Sequence, residues 1–335
     1  MTDETHPQQL ERMITGYCIS QSIYAAAKLE IADQLAAGPR TAAQLAEATQ
    51  TDADSLYRLL RALASVGIFA ENEQGAFSLT PLAEPLRSDH PESKQACAIM
   101  NGEDQFRPWC EIIYSLQTGK PAYNKIWGTS VFEFLAEHPE QAQIFDRAMT
   151  GIHGRGNDSI LDAYDLTDTR VLADVGGGNG LHLAGILQAN PHLHGLLFDV
   201  PHVVERAQTQ IDQAGLSDRC QLVGGDFFQS LPQGPDAILL RHIIHDWNDE
   251  QSLRILKNCH AALPDGGKLL ILESVIQPGN APFWGKFVDL IMLLVTGGRE
   301  RTAKEFRLLY ERAGFELTQI VPTSSDLSIV EGVKR

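Results

Sequence analysis

From Arg170 onward the chain alternates short apolar runs with amphipathic ones, and this rhythm leaves few folds open. The spacing predicts strands over 171–175, 195–198, 220–223, 237–240 and 268–272. Helices are predicted between them over 181–189, 203–214 and 249–263. Strands that are apolar along their whole length, separated by helices, describe a parallel sheet covered on both faces. The expected class is therefore α/β with a Rossmann-like sheet.

Ligands of such sheets bind beyond the carboxyl ends of the strands. The first strand ends in Asp174-Val-Gly-Gly-Gly-Asn-Gly180, just before a helix. A dinucleotide fingerprint needs Gly-x-Gly-x-x-Gly, which places its third glycine at residue 181. That residue is Leu181, and Gly176, Gly178 and Gly180 follow Gly-x-Gly-x-Gly instead. No Lys-Ser/Thr pair follows, so the loop is not a P-loop.

Two acids sharpen the reading. Asp199 ends the second strand, where a carboxylate accepts from both hydroxyls of a ribose. Asp226 and Phe227 end the third, where an acid accepts an adenine amino group and an aromatic packs on its ring. No Arg or Lys stands nearby for a pyrophosphate. A nucleoside without phosphates fits better than NAD, and S-adenosylmethionine, with its cationic sulfonium, is such a ligand.

After the fourth strand comes Arg241-His-Ile-Ile-His-Asp-Trp247. His245 falls on the ligand side of the sheet. An unperturbed imidazole, with a pKa of about 6.5, is mostly neutral near pH 7 and can take a proton from a hydroxyl. A carboxylate on its other ring nitrogen would fix the tautomer. Glu273, ending the fifth strand, and Glu300, in Gly297-Gly-Arg-Glu-Arg-Thr302, are the candidates. Asp246 is expected to cap the turn that follows.

Residues 1–90 read differently. Thr41-Ala-Ala-Gln44 is a capping box, a second helix follows Asp52, and 68–70 with 76–79 flank a polar turn. Helix, turn, helix and hairpin make a winged-helix unit. Its second helix carries Arg58 and Arg61, but 43 acidic residues against 27 basic give a net charge of −16. That field repels phosphate backbones, so packing or dimerisation is the expected role and nucleic acid is not an expected partner. The Ala/Ile/Leu-rich stretch 13–35 suits a core helix or a subunit interface. The stretch 91–165 is helical and aromatic, with Trp109 and Phe145 among its candidates for an aromatic pocket.

No apolar run reaches the ~18–20 residues that span a bilayer. The polar opening stretch lacks a signal-peptide pattern, and Cys18, Cys97, Cys110, Cys220 and Cys259 form no Cys-x-x-Cys pair. A cytoplasmic protein without a zinc knuckle or disulfide framework is expected.

These blocks, with Phe198-Asp-Val-Pro-His202, Gly225-Asp-Phe-Phe228 and Leu263-Pro-Asp-Gly-Gly267, occur in an order that identifies a family. Over nearly its whole length the chain resembles the class I S-adenosylmethionine-dependent O-methyltransferases of the caffeate, acetylserotonin and bacterial polyketide type. The resemblance implies a seven-stranded sheet with one antiparallel strand, closed by a C-terminal hairpin. It implies a winged-helix dimerisation domain over 1–95, a helical connection over 96–165 and a catalytic domain over 166–335.

It also implies a homodimer, a small phenolic acceptor, S-adenosylhomocysteine as product and no metal. It assigns the methionine part of the cofactor to the loop from Asp174 to Gly180, the ribose to Asp199, and the adenine to Asp226 and Phe227. Arg241 falls near the cofactor, His245 at the general base, Glu273 and Glu300 beside it, and Met149 and Met292 around the substrate ring. Asn179 departs from the commoner threonine. Some relatives have altered chemistry, hydroxylation or decarboxylation, and that alternative stands beside methyl transfer, as does a non-catalytic cofactor-binding protein.

Overall fold

The computed structural model describes residues 5–153, 160 and 163–335. They fall into two units, Met1–Cys110 with Phe132–Arg155, and Glu111–Val131 with Gly156–Arg335. The connecting stretch 96–165 thus contributes helices to both.

In the first unit, side chains start the helices as the sequence suggests. Thr41 accepts from the Gln44 backbone N–H at 3.3 Å, and Gln44 returns its carbonyl to the Thr41 N–H at 2.9 Å. Asp52 caps Ala53–Ser65 through the Ser55 N–H. That helix buries Leu56, Leu60 and Leu63 on one face. It stops at Gly67, whose φ of +83° suits glycine, while Ile68 N–H reaches back to Leu63 O. A hairpin of β2 (Phe69–Glu71) and β3 (Ala76–Leu79) follows, and β1 (Arg40–Thr41) pairs on the far side of β3. This third strand, too short for periodicity to reveal, completes the wing.

The second unit is built on seven strands: β4 (Val171–Val175), β5 (His194–Asp199), β6 (Cys220–Gly224), β7 (Ala237–Arg241), β8 (Lys268–Glu273), β11 (Phe315–Pro322) and β12 (Ser328–Lys334). Their order is β11-β12-β8-β7-β4-β5-β6. β12 alone runs opposite to the other six. Alternate residues serve opposite faces. Ala173, Val175, Ile238, Leu240, Leu269 and Ile271 pack against helices Asp249–Ala262 and Ala303–Ala313. Leu172, Ala237, Leu239, Leu270 and Leu272 pack against Leu181–Ala189 and Pro201–Gln213.

The chain runs outward from β4 through β5 to β6, then returns to β7 on the other side of β4. The carboxyl ends of β4 and β7 therefore border the switch point at which such sheets bind ligands. A separate parallel pair, β9 (Val275–Ile276) with β10 (Arg301–Thr302), ties the segment after β8 to the segment that carries Glu300. No described helix is long and apolar enough to cross a membrane.

Candidate active site

Three strand ends supply the candidate cofactor residues. Asp174 is buried next to the end of β4. Burial pushes its pKa up to about 7, opposed by the positive charge of Arg241 at the end of β7. Asp199 ends β5 and faces the glycine loop directly. Its Oδ2 accepts the Gly178 N–H at 2.9 Å, and its Oδ1 accepts the Val200 N–H at 2.7 Å. The ribose candidate and the loop are thus one hydrogen-bonded unit.

Gly178 itself, at φ +57°, borders open space. The loop backbone beside the Asp199 carboxylate is therefore open there. At the next position Asn179 Oδ1 accepts the Leu181 N–H, a local turn at the helix start.

Asp226 is exposed, and its Oδ1 accepts the Phe228 N–H at 2.8 Å. The Phe227 ring is half-buried, with centroids 4.9 Å from Phe228 and 6.1 Å from Trp247. Asn258 holds the turn by donating to Phe227 O at 2.7 Å.

Gly176 joins this surface to the histidine segment. A Cβ built there would lie 2.3 Å from Ile243 Cδ1. The bare glycine therefore lets Ile243, two residues before His245, pack on the loop.

The histidine lies in a short 3-10 turn, Ile244–Asp246, and is 6% exposed. Of the two candidate carboxylates it is Glu300 that meets the ring: Oε1 lies 2.7 Å from Nδ1. Glu273 does a different job, accepting the His245 backbone N–H at 3.0 Å. Both acids are buried, and their Oε2 atoms have no hydrogen-bond partner among the described residues. Asp246 Oδ1 lies 3.9 Å from His245 Nε2.

Two sequence expectations change here. Asp246 does not cap the next helix; Asn248 does, accepting from Glu250 and Gln251 N–H. Nor is the imidazole mostly neutral. Burial pushes its pKa down, but Asp246, Glu300 and Glu273 outweigh that and raise it to about 10. Burial also raises Asp246 to about 6 and Glu273 to about 7, against the pull of the imidazolium. The carboxylates around the ring thus favour its protonated form.

The segment after helix Gly285–Val295 completes the cluster. Asp289 on that helix accepts the Glu300 N–H at 2.8 Å, and Arg299 N–H donates to His245 O at 2.8 Å. Gly298 is required by contact, since a Cβ there would lie 1.9 Å from His245 O. The sequence reading assigned nothing to Asp289, Gly298 or Arg301. The one signal was their place around Glu300.

The substrate-pocket candidates divide between the units. Trp109, Phe145 and Met149 belong to the first and Met292 to the second. Phe145 and Met149 pack with Ala96, Met100 and Ala148. Met292 is half-buried on Gly285–Val295. On the winged-helix unit Arg61 lies over the Tyr57 ring, 5.7 Å from its centroid. Among the described residues no group of three His, Cys, Asp or Glu could hold a metal ion.

A glycine loop bonded to a strand-end carboxylate thus lies beside a buried His–Glu pair on a sheet of this order. A family model described as an O-methyltransferase domain matches residues 109–316, and one described as an O-methyltransferase dimerisation domain matches 11–89. The chain is 46% identical over 322 residues to phenazine O-methyltransferase PhzM of Lysobacter antibioticus, covering 96% of this chain and 94% of that protein. The crystal structure of LaPhzM matches at a TM-score of 0.96 and 45% identity, covering 99% of this chain and all of that one. NcsB1 of neocarzinostatin biosynthesis, solved with S-adenosylmethionine and 2-hydroxy-5-methyl naphthoic acid, matches at a TM-score of 0.81 and 36% identity, covering 94% and 96%. The chain belongs to the O-methyltransferase family and carries that family's dimerisation domain.

Proposed function

We propose that this O-methyltransferase transfers a methyl group from S-adenosylmethionine to a hydroxyl on a small fused aromatic acceptor of the phenazine or naphthoate kind, with His245 as general base. The observation that carries the reading is the His245 turn. It abuts the glycine loop through Ile243 and Gly176, and it has its imidazole Nδ1 on Glu300. The acceptor class rests on the relatives named above.

When bound, S-adenosylmethionine supplies an electrophilic methyl on a positive sulfur and departs as S-adenosylhomocysteine. Asp199 takes the ribose hydroxyls. Asp226 and Phe227 take the adenine, and the loop from Asp174 to Gly180, with Arg241 nearby, takes the amino-acid end.

His245 Nε2 receives the hydroxyl proton as the oxygen gains its methyl, and Glu300 stabilises the imidazolium that results. In this reading the imidazole accepts that proton in its neutral form, and a positive sulfonium near the ring would favour that form. Orientation contributes besides, since a bound near-attack geometry is worth about 7–11 kcal/mol. Met292 is proposed to confine the acceptor ring. The altered-chemistry and non-catalytic alternatives are not favoured, since the family model and the relatives named above are methyltransferases.

We also propose a cytoplasmic homodimer joined through the N-terminal helices. Helix His6–Ile14 buries none of its residues within the chain, and Leu10, Met13, Ile14 and Tyr17 stand exposed in succession.

The test of the cofactor is calorimetric titration with S-adenosylmethionine, with NAD as control. Saturable binding of the former alone supports the reading. Binding of NAD alone, or of neither, contradicts it.

A further inference from the structure

Among the described residues Arg301 is the largest fully buried side chain, 1% exposed, and its carboxylate partner does not explain why it is there. Asp249 accepts from Arg301 Nη2 at 2.8 Å and Nε at 3.1 Å, but the Asp249 side chain is itself 51% exposed. An ion pair to so wet a partner is a weak reason to strip a guanidinium of water.

The remaining bonds go elsewhere. Nη1 donates to Ile244 O at 3.0 Å, and Nη2 donates to Trp247 O and to Ser252 Oγ, each at 3.0 Å. Ile244 and Trp247 bracket the His245 turn. The planar fork thus fixes the backbone on both sides of the histidine, while Glu300, the adjacent residue, holds its ring and Arg299 N–H holds its carbonyl. Three consecutive residues grip one turn from three directions. Pairing of β10 with β9 then anchors Arg301 beside Val275, just after Glu273.

We infer that Arg301 is a positioning residue for the reaction: it sets the imidazole of His245 by clamping the carbonyls that flank it. The inference rests on His245 as the base. A lysine cannot replace the fork, because an ammonium is a point donor without fixed planar geometry. Arg301→Lys keeps the charge and loosens the turn, so the bond from the ring to Glu300 weakens.

The test compares Arg301→Lys in the wild-type and His245→Ala backgrounds, with imidazole titration by NMR in the cofactor-free protein. The variant is expected to lose roughly 10- to 100-fold in kcat through misplacement of the base. Its cofactor affinity should stay within about twofold, as expected when an interaction outside the binding contacts is lost. The His245 pKa should fall by about a unit or more toward its ordinary value. The kinetic loss should vanish in the His245→Ala background.

Should Arg301→Lys fail to fold, Asp249→Asn carries the test. It loosens the same guanidinium from its half-exposed side and is expected to lower kcat and the imidazole pKa in the same direction, more weakly. Wild-type kcat and imidazole pKa in the folded variant would overturn the inference, as would a loss undiminished in the His245→Ala background. A His245→Ala enzyme as fast as wild type would contradict the base assignment instead, and the NMR shift would still report whether Arg301 sets the imidazole.

Discussion

Glu300 Oε1 lies 2.7 Å from His245 Nδ1 across 55 residues of sequence, and both groups are buried. The pair exists because β9 and β10 tie the segment beyond Glu273 to the segment bearing Glu300, and because Gly298 lets that segment close on the histidine's carbonyl. A carboxylate so placed makes Nδ1 the donor and leaves Nε2 to face a substrate hydroxyl.

Replacing Glu300 by Gln keeps the shape and removes the charge. The imidazole pKa is then expected to fall, and kcat to drop roughly 10- to 100-fold, part of the 10²–10⁴-fold that a general base supplies. Steady-state kinetics across pH 6–10 check this. An unchanged kcat would show that the pair does not serve turnover.

The protonation state of His245 should depend on which cofactor form is bound. Its folded-state pKa is raised to about 10 from an ordinary 6.5. The stability it contributes is therefore fully present below about pH 6.5 and is lost as pH rises toward 10. Between those values the folded protein holds a proton that the unfolded chain does not. On the proposed mechanism a cationic sulfonium near the ring would disfavour it. Near pH 8, S-adenosylmethionine should release a fraction of a proton on binding and S-adenosylhomocysteine, lacking the sulfonium, much less. Titration calorimetry in two buffers of different ionisation enthalpy measures the difference; equal release by both would contradict it.

Asp199 holds the loop and is proposed for the ribose, so Asp199→Ala should weaken cofactor binding about 10-fold or more, the scale of one hydrogen bond to a charged group. Unaltered affinity by calorimetry would remove the ribose assignment.

Gly298→Ala forces a methyl against His245 O, where no flexible side chain can yield. Overpacking of this kind costs about 1–3 kcal/mol. The thermal midpoint and turnover should both fall; a variant with wild-type values of both would show that the turn is looser than its geometry indicates.

Charge on the first helix should break the dimer. Met13→Glu with Ile14→Glu leaves the chain's own core untouched, since neither residue is buried in it. Light scattering should report a monomer. A dimer that persists would place the interface elsewhere.

Much of the sheet was legible because its strands are apolar throughout and stop at glycines or acids. The helix 181–189 and the strand 171–175 have the limits that periodicity predicts. The loop, Asp199 and Asp226 were legible as strand-end positions. Less legible was the division of labour between Glu273 and Glu300, because spacing cannot say which acid reaches a ring. The electrostatic setting of His245 was not legible for a related reason: it depends on three carboxylates that only the tertiary fold assembles. The place of Arg301 was not legible, since nothing local announces that Ile244 and Trp247 will offer it their carbonyls. The two-residue strands β1, β9 and β10 are too short for any period.

The most direct test of the account is the rate of S-adenosylhomocysteine formation with hydroxylated phenazine and naphthoate acceptors, for wild type and His245→Ala, with the product examined by mass spectrometry. The account predicts an acceptor that gains one methyl on oxygen, and a rate reduced roughly 10²–10⁴-fold in the variant with cofactor binding intact. No methylated product from any hydroxylated aromatic, or a variant as fast as wild type, would contradict it.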